Sequence, residues 1–350
     1  MVNYNHPKCP ADSLTDNPAS WKNSSLLTVE QITPGGLELL CQRSSEMKAL
    51  VKEGGGGDNR LQHKLLASVF YEASTRTSCS FQAAMHRLGG RVVHVDASPS
   101  TGNSSSKKGE SLEDTIQCME CYSDVLVLRH PVQGSLARVI SRVNKPVLNA
   151  GDGIGEHPTQ ALLDLYTIAD ELGGLSQIKQ QSTSENPLTV VLVGDLKHGR
   201  TVHSLAKLLA RSGVVNDPST QLTLVYCSPP LLQMPQDVQD YVAQFGITQT
   251  EIPSLADAVA KANILYVTRV QKERFDLEED YNQVKGMYIV NQELMRMAPS
   301  NMIVMHPLPR VDEIAVEVDD DSRAAYFRQM ENGMYVRMAI LDLVLSSRDK

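Results

Sequence analysis

From residue 65 onward, short strand-like apolar runs alternate with stretches of helical period, and that alternation constrains the fold more than any other feature. The run 65–71 is followed by Phe81, Ala84, Met85 and Leu88 at helical spacing, and then by the run 92–95. A chain that must form a helix between successive strands builds βαβ units, whose strands lie parallel and are covered on both faces. The rhythm continues through a helix carrying Leu112, Thr115, Ile116 and Met119, and through strands at 125–128 and 146–149. A helix from Pro158 then carries Leu162, Leu165, Tyr166 and Ala169. One sheet is complete at that point.

Gly173, Gly174 and the polar stretch 180–187 mark a change of composition typical of a connection between structural units. A second series follows, with strands predicted at 188–193, 222–227, 264–268, 288–290 and 303–305. Val202, Leu205, Ala206 and Leu209 form a helical stripe, and a long helix spans about 323–346. The fold class is therefore α/β, with two doubly wound parallel-sheet domains joined by helices. Residues 54–57 read as a flexible glycine loop, and 97–109 as a long polar loop of the kind that often acts as a lid or binding loop.

The composition narrows the function. At 41% hydrophobic, 350 residues can bury a core in each of two domains. Lys plus Arg number 33 against 41 Asp plus Glu, a net charge of −8, which is the wrong sign for neutralising phosphate backbones. No nucleic acid partner is expected. No run of about 18 apolar residues is present to span a bilayer, and residues 1–25 are polar and proline-punctuated. A soluble, cytoplasmic protein with no membrane partner is the expectation. The six cysteines are dispersed and read as reduced thiols. Cys118 and Cys121 form the only C-x-x-C, inside a helical pattern, and are expected to be buried thiols rather than metal or redox ligands.

Ligands of open parallel sheets bind beyond the carboxyl ends of the strands, so the residues that follow each predicted strand matter most. They are Glu72-Ala73-Ser74-Thr75-Arg76-Thr77-Ser78, Arg129-His130, and Gly151-Asp152-Gly153 followed by His157-Pro158-Thr159-Gln160. In the second half they are Gly194-Asp195-Leu196-Lys197-His198-Gly199-Arg200-Thr201, Arg269-Val270-Gln271, and His306-Pro307-Leu308-Pro309-Arg310. Arg76, Arg129, Arg200 and Arg269 at four strand ends suit a small anionic substrate, because guanidinium forks match phosphate and carboxylate oxygens. Ser74 to Thr77 also open a helix, where backbone N–H groups and the helix dipole favour a phosphate. The plainer alternative makes Ser74 an N-cap and Arg76 a surface residue. His157 precedes Pro158 at a helix start, where the dipole disfavours imidazolium and a neutral ring can still donate a hydrogen bond.

Gly194 to Thr201 nearly matches a P-loop, but Arg200 replaces the lysine and no Walker-B acid follows. The dinucleotide fingerprint is absent after both first strands, and neither G-x-S-x-G nor H-E-x-x-H occurs. No cofactor, metal or covalent nucleophile is expected.

Taken together, Ser74-Thr75-Arg76-Thr77-Ser78, Arg129-His130-Pro131, Asn149 to Gly153 with His157 to Asp164, Val193 to Ser204, Thr268 to Arg274 and His306 to Arg310 resemble the aspartate carbamoyltransferases. The resemblance runs in order from about 26 to 345, and the stretch 323–338 is most like the eukaryotic type found within multifunctional pyrimidine-synthesis proteins. It implies a carbamoyl-phosphate-binding domain at 26–165 completed by the C-terminal helix 326–346, an aspartate-binding domain at 166–325, and an N-terminal extension at 1–25. Both halves would face one cleft. By similarity, Ser74, Thr75, Arg76 and Thr77 hold the phosphate, and Thr77, Arg129 and His157 polarise the carbamoyl carbonyl. Gln160 and the Pro307 and Leu308 carbonyls bind the carbamoyl amide, while Arg200, Arg269 and Gln271 bind aspartate. Ser104 and Lys108 enter from a neighbouring subunit of a homotrimer with shared active sites, and Lys108 is counted among the catalytic and aspartate-binding residues. The implied substrates are carbamoyl phosphate and L-aspartate, with a larger multifunctional polypeptide as the implied context.

Two other readings stay in view. An ornithine-type transcarbamoylase shares Ser-Thr-Arg-Thr but resembles His-Cys-Leu-Pro where this chain has His306-Pro307-Leu308-Pro309, and a cationic substrate should avoid Arg200 and Arg269. A catalytically silent scaffold should have lost part of the strand-end set, and none is missing.

Overall fold

The computed structural model describes residues 13–98, 108–153, 155–183, 185–212 and 221–346. The chain divides into two compact units, Met1–Tyr166 with Glu331–Lys350, and Thr167–Met330. In the first unit, strands β1 (Leu65–Phe70), β2 (Arg91–Asp96), β3 (Val125–His130) and β4 (Val147–Asp152) form a parallel sheet in the order β2-β1-β3-β4. Helices α1 (Pro34–Lys52), α2 (Thr75–Arg87), α3 (Leu112–Tyr122), α4 (Ser135–Ile140) and α5 (Pro158–Glu171) accompany it. β1, β3 and β4 are buried along nearly their whole length, in keeping with their mainly apolar sequences, although β4 also buries Asn149 and Asp152, whereas edge strand β2 is mostly exposed.

The second unit contains α6 (Leu175–Gln181), β5 (Leu188–Val193), α7 (Arg200–Arg211), β6 (Leu222–Cys227), α8 (Gln236–Ala243), β7 (Thr248–Glu251), α9 (Leu255–Val259), β8 (Ile264–Val267), α10 (Glu278–Val284), α11 (Gln292–Met297) and β9 (Ile303–Met305). Its parallel sheet runs β7-β6-β5-β8-β9. The final helix α12 (Tyr326–Leu345) begins in this unit and ends in the first.

In each sheet the strand order reverses once. The chain winds outward from β1 to β2 and resumes on the other side of β1 at β3; it winds outward from β5 through β6 to β7 and resumes at β8. Adjacent loops at such a reversal diverge to opposite faces and leave a crevice at the carboxyl edge. The segments after β1 and β3, and those after β5 and β8, therefore occupy the positions where each sheet can hold a ligand.

Several sequence expectations need correction. The fifth strand of the second sheet is β7, whose Thr-Gln-Thr-Glu sequence is mostly exposed, and not 288–290. Val290 makes only an isolated bridge with Ile314. An edge strand needs apolar residues on few of its positions, so β7 left no hydrophobic signal. Cys118 and Cys121 are exposed, because α3 turns the stripe Leu112, Thr115, Ile116 and Met119 inward and both cysteines fall outside it. Within the N-terminal segment, Leu14 and Trp21 are fully buried, Leu14 bridges Ile32, and Val147 N–H donates to Ser25 Oγ at 2.9 Å. The polar stretch 180–187 lies within the second unit.

Candidate active site

At the first sheet's reversal point, β1 ends at Phe70 and leads through Tyr71, Glu72 and Ala73 to Ser74, the N-cap of α2. Ser111 caps α3 and Thr33 caps α1 through their side chains, but Ser74 makes no side-chain capping bond. The helix start offers its backbone donors without a serine oxygen placed on them. Thr75 and Arg76 are exposed, Ser74 is half-buried and Thr77 is buried. Thr77 Oγ1 lies 3.4 Å from His157 Nε2, so residues eighty positions apart meet at one point.

β3 continues through Arg129 and His130, and β4 through Gly151 and Asp152, so these residues are the last of their strands and not the first of the loops. Arg129 is buried; its Nη1 donates to the Ala150 carbonyl at 3.2 Å and its Nη2 pairs with Glu72 Oε1 at 3.1 Å. Gly151 makes room for it, with φ at +128° and a hypothetical Cβ only 3.1 Å from Arg129 Nη1. Burial lowers the pKa of neighbouring His130, whose Nδ1 accepts from Val132 N–H at 3.1 Å. Gln160, in the first turn of α5, is buried and donates through Nε2 to Asp164 Oδ1 at 2.9 Å.

In the second unit, β5 leads to Gly194, whose φ is +108° and whose Cβ would stand 2.2 Å from the Thr268 carbonyl oxygen. Only glycine lets the segments after β5 and β8 approach so closely. Asp195, fully buried, accepts from His198 N–H at 2.9 Å and from Gln271 N–H at 3.4 Å, which ties those two segments together. Arg200 is the first residue of α7 and half-buried. Arg269 is paired with Glu273 through both of its terminal nitrogens. That hydrogen bond raises the Arg269 pKa and lowers that of Glu273.

After β9, Leu308 N–H donates to His306 Nδ1 at 2.7 Å, and His306 Nε2 lies 2.7 Å from Glu313 Oε1. A carboxylate can only accept, so Glu313 fixes the tautomer that leaves Nδ1 free to receive the Leu308 N–H. Burial is the largest single influence on the Glu313 pKa and raises it, but the His306 hydrogen bond and charge and the backbone N–H donors together outweigh it and lower the pKa. The pair thereby sets the backbone at Pro307 and Leu308, the two positions whose carbonyls were singled out.

The structure thus gathers Thr77 with His157, places Arg129 and Gln160 at the same sheet's carboxyl edge, and ties Gln271 to Asp195. Lys108 is exposed and joins none of these groups. Ser104 lies outside the described residues. Sequence reasoning assigned no role to Glu72, Asp164, Glu313 or Arg337; the four-residue step from Gln160 to Asp164 was the one readable signal among them. Among the described residues no group of three or more His, Cys, Asp or Glu is placed to hold a metal ion, and no helix is long and apolar enough to cross a membrane.

Residues 24–170 match the carbamoyl-phosphate-binding domain of the aspartate/ornithine carbamoyltransferases, and 186–344 match their aspartate/ornithine-binding domain. The chain belongs to this family. It is 45% identical to the aspartate carbamoyltransferase catalytic subunit of Thermococcus kodakarensis, over 93% of this chain and 98% of that protein. It is 49% identical to the multifunctional protein pyr1-3 of Dictyostelium discoideum over 96% of this chain, and spans 14% of that relative's length. Trypanosoma cruzi aspartate transcarbamoylase in complex with carbamoyl phosphate superposes with a TM-score of 0.83 at 43% identity, covering 94% of this chain and 98% of that one. The family's two domain descriptions fall one on each of the two reversal points described above.

Proposed function

We propose that this chain transfers the carbamoyl group of carbamoyl phosphate to the amino group of L-aspartate, giving N-carbamoyl-L-aspartate and phosphate, in pyrimidine biosynthesis. The observation that carries the reading is the meeting of Thr77 and His157 beside an α2 start whose serine makes no capping bond. Ser74, Thr75, Arg76 and Thr77 bind the phosphate. The neutral amine of aspartate attacks the carbamoyl carbon, forming the C–N bond as negative charge gathers on the carbonyl oxygen. Thr77, Arg129 and His157 are fixed donors for that oxygen and need no reorganisation as the charge develops. The C–O bond to phosphate then breaks, and the amine proton leaves with the phosphate.

Gln160 Oε1 and the carbonyls of Pro307 and Leu308 accept from the carbamoyl NH₂. Arg200 and Arg269 hold the aspartate carboxylates with Gln271, so Arg269 exchanges Glu273 for substrate. A cationic ornithine side chain gains nothing from two arginines, which disfavours the ornithine-type reaction. Detection of N-carbamoyl-aspartate from carbamoyl phosphate plus aspartate, with ornithine as control, tests the reading. Product with ornithine alone, or none with either, overturns it.

The reading extends to a cytoplasmic homotrimer in which Ser104 and Lys108 of one subunit serve a neighbour's site. The exposure of Lys108 and the free state of the described cysteines support it. Arg76→Ala spoils a chain's own phosphate site and Lys108→Ala spoils what it lends, so each homotrimer should be nearly inactive. A mixed ring retains about one interface where intact parts meet. Partial recovery of activity on mixing is expected; hybrids as inactive as their parents would assign Lys108 to its own chain or to no catalytic role.

A further inference from the structure

The reaction does not use Asp164, yet this carboxylate is fully buried in α5 one turn beyond Gln160. It accepts from Gln160 Nε2 at 2.9 Å. An ionised carboxylate has no proton to donate, so it can bond only the NH₂ edge of a side-chain amide. The bond therefore decides which way round Gln160 sits: nitrogen toward Asp164, Oε1 on the opposite edge. Without such a partner the two orientations of an amide are close in energy and the residue could present either group.

The lock needs Asp164 as a carboxylate, and Arg337 is the buried cation whose charge it acts on. Arg337 is buried on α12, its guanidinium donating to the Gly333 carbonyl at 3.3 Å and to Thr159 Oγ1 at 3.4 Å, and stacking 5.1 Å above the Phe81 ring. Burial pushes its pKa down to about 10 while the charge of Asp164 acts against that fall, so it stays protonated at neutral pH. Thr159 and Gln160 are adjacent, so Arg337 braces the same helical turn that carries the amide.

We propose that Asp164, with Arg337 as its counter-ion, is a positioning residue that locks the Gln160 amide with its carbonyl oxygen toward the ligand and thereby selects a carbamoyl group over an acyl group. The inference rests on the reading that Gln160 meets the carbamoyl NH₂. An outward acceptor rewards an N–H donor, which carbamoyl phosphate has and acetyl phosphate, with a methyl group in its place, lacks. An outward NH₂ would oppose the carbamoyl NH₂ and leave acetyl unaffected.

Asp164→Asn tests this, because the asparagine can offer its own NH₂ to Gln160 and let the amide turn over. The Kd for carbamoyl phosphate should rise roughly 10- to 100-fold, the range expected when a polar group loses its partner, while that for acetyl phosphate changes little. In a Gln160→Ala background the same substitution should cost no further selectivity. Equal weakening of both ligands, additive losses in the double variant, or unchanged selectivity would overturn the proposal. Should Asp164→Asn not fold, hydrogen exchange in the wild-type enzyme still decides: the Gln160 Nε2 protons, assigned by their absence in Gln160→Ala, should be protected with and without carbamoyl phosphate. Exchange at the rate of a free amide refutes the lock. Wild-type turnover with aspartate is read alongside, so loss of the underlying reading shows as absent activity and loss of this inference as activity with unaltered selectivity.

Discussion

The two reversal points are built alike and finished differently. In the first unit Thr77, Arg129, His157 and Gln160, the side chains assigned to the carbamoyl group, are each less than a tenth exposed, while Thr75 and Arg76 on the phosphate side are exposed. In the second unit the arginines are half-buried, Arg269 with 29% of its side chain exposed, and the fully buried group is Asp195. Locked donors suit an oxyanion that exists only in the transition state, whereas half-buried arginines, Arg269 among them held by the exchangeable Glu273, suit capture of a soluble dianion. The difference separates chemistry from capture, and substitutions in the two units should divide along kcat and KM.

The largest effect should come from the first unit. Thr77→Val and His157→Ala should each lower kcat by about 100- to 1,000-fold, the usual loss for one oxyanion donor, with small changes in KM. Steady-state kinetics in both substrates checks this. A KM for carbamoyl phosphate that rises while kcat holds would make both residues ground-state binders and erase the contrast.

Arg269→Ala should act the other way, raising the KM for aspartate on the order of tenfold with kcat less affected. The effect is smaller because aspartate must displace Glu273 from a half-exposed arginine, and an exposed pair returns only part of its Coulomb energy. A kcat loss as large as that of Thr77→Val would show that both units share the chemistry.

The last effect falls on stability and not on turnover, and concerns the support of the second unit. Glu313→Ala removes the partner of buried His306 and should destabilise the protein by about 1–3 kcal/mol near neutral pH. The folded-state pKa of Glu313 is depressed, so its contribution is full above the unfolded carboxylate value of about 4.3 and is lost as pH falls through the lower folded value. Denaturant unfolding should show the gap between wild type and variant closing in acid. A gap that widens as pH falls would reverse the sign assigned to this pair.

Much of this contrast was legible in the sequence, and the reasons are local. The central strands β1, β3 and β5 are buried on both faces and read as mainly apolar runs; β7, exposed at an edge, does not. The segments after the strands carried the site because parallel sheets collect polar groups there. The pairs that hold those groups were hidden. Glu72 meets Arg129 only because β1 and β3 are neighbours in the sheet, and Asp164 meets the charge of Arg337 only because α12 returns to the first unit. Such partners depend on topology, which residue order alone does not show.

The claim that the first unit holds the phosphate and the second unit the aspartate carboxylates is tested most directly by calorimetric titration of carbamoyl phosphate into Arg269→Ala and Arg76→Ala without aspartate. The account predicts a Kd within about twofold of wild type for Arg269→Ala and at least about tenfold weaker binding for Arg76→Ala, which loses a charge-assisted phosphate contact. Carbamoyl phosphate binding that collapses in Arg269→Ala, or survives unchanged in Arg76→Ala, would contradict it.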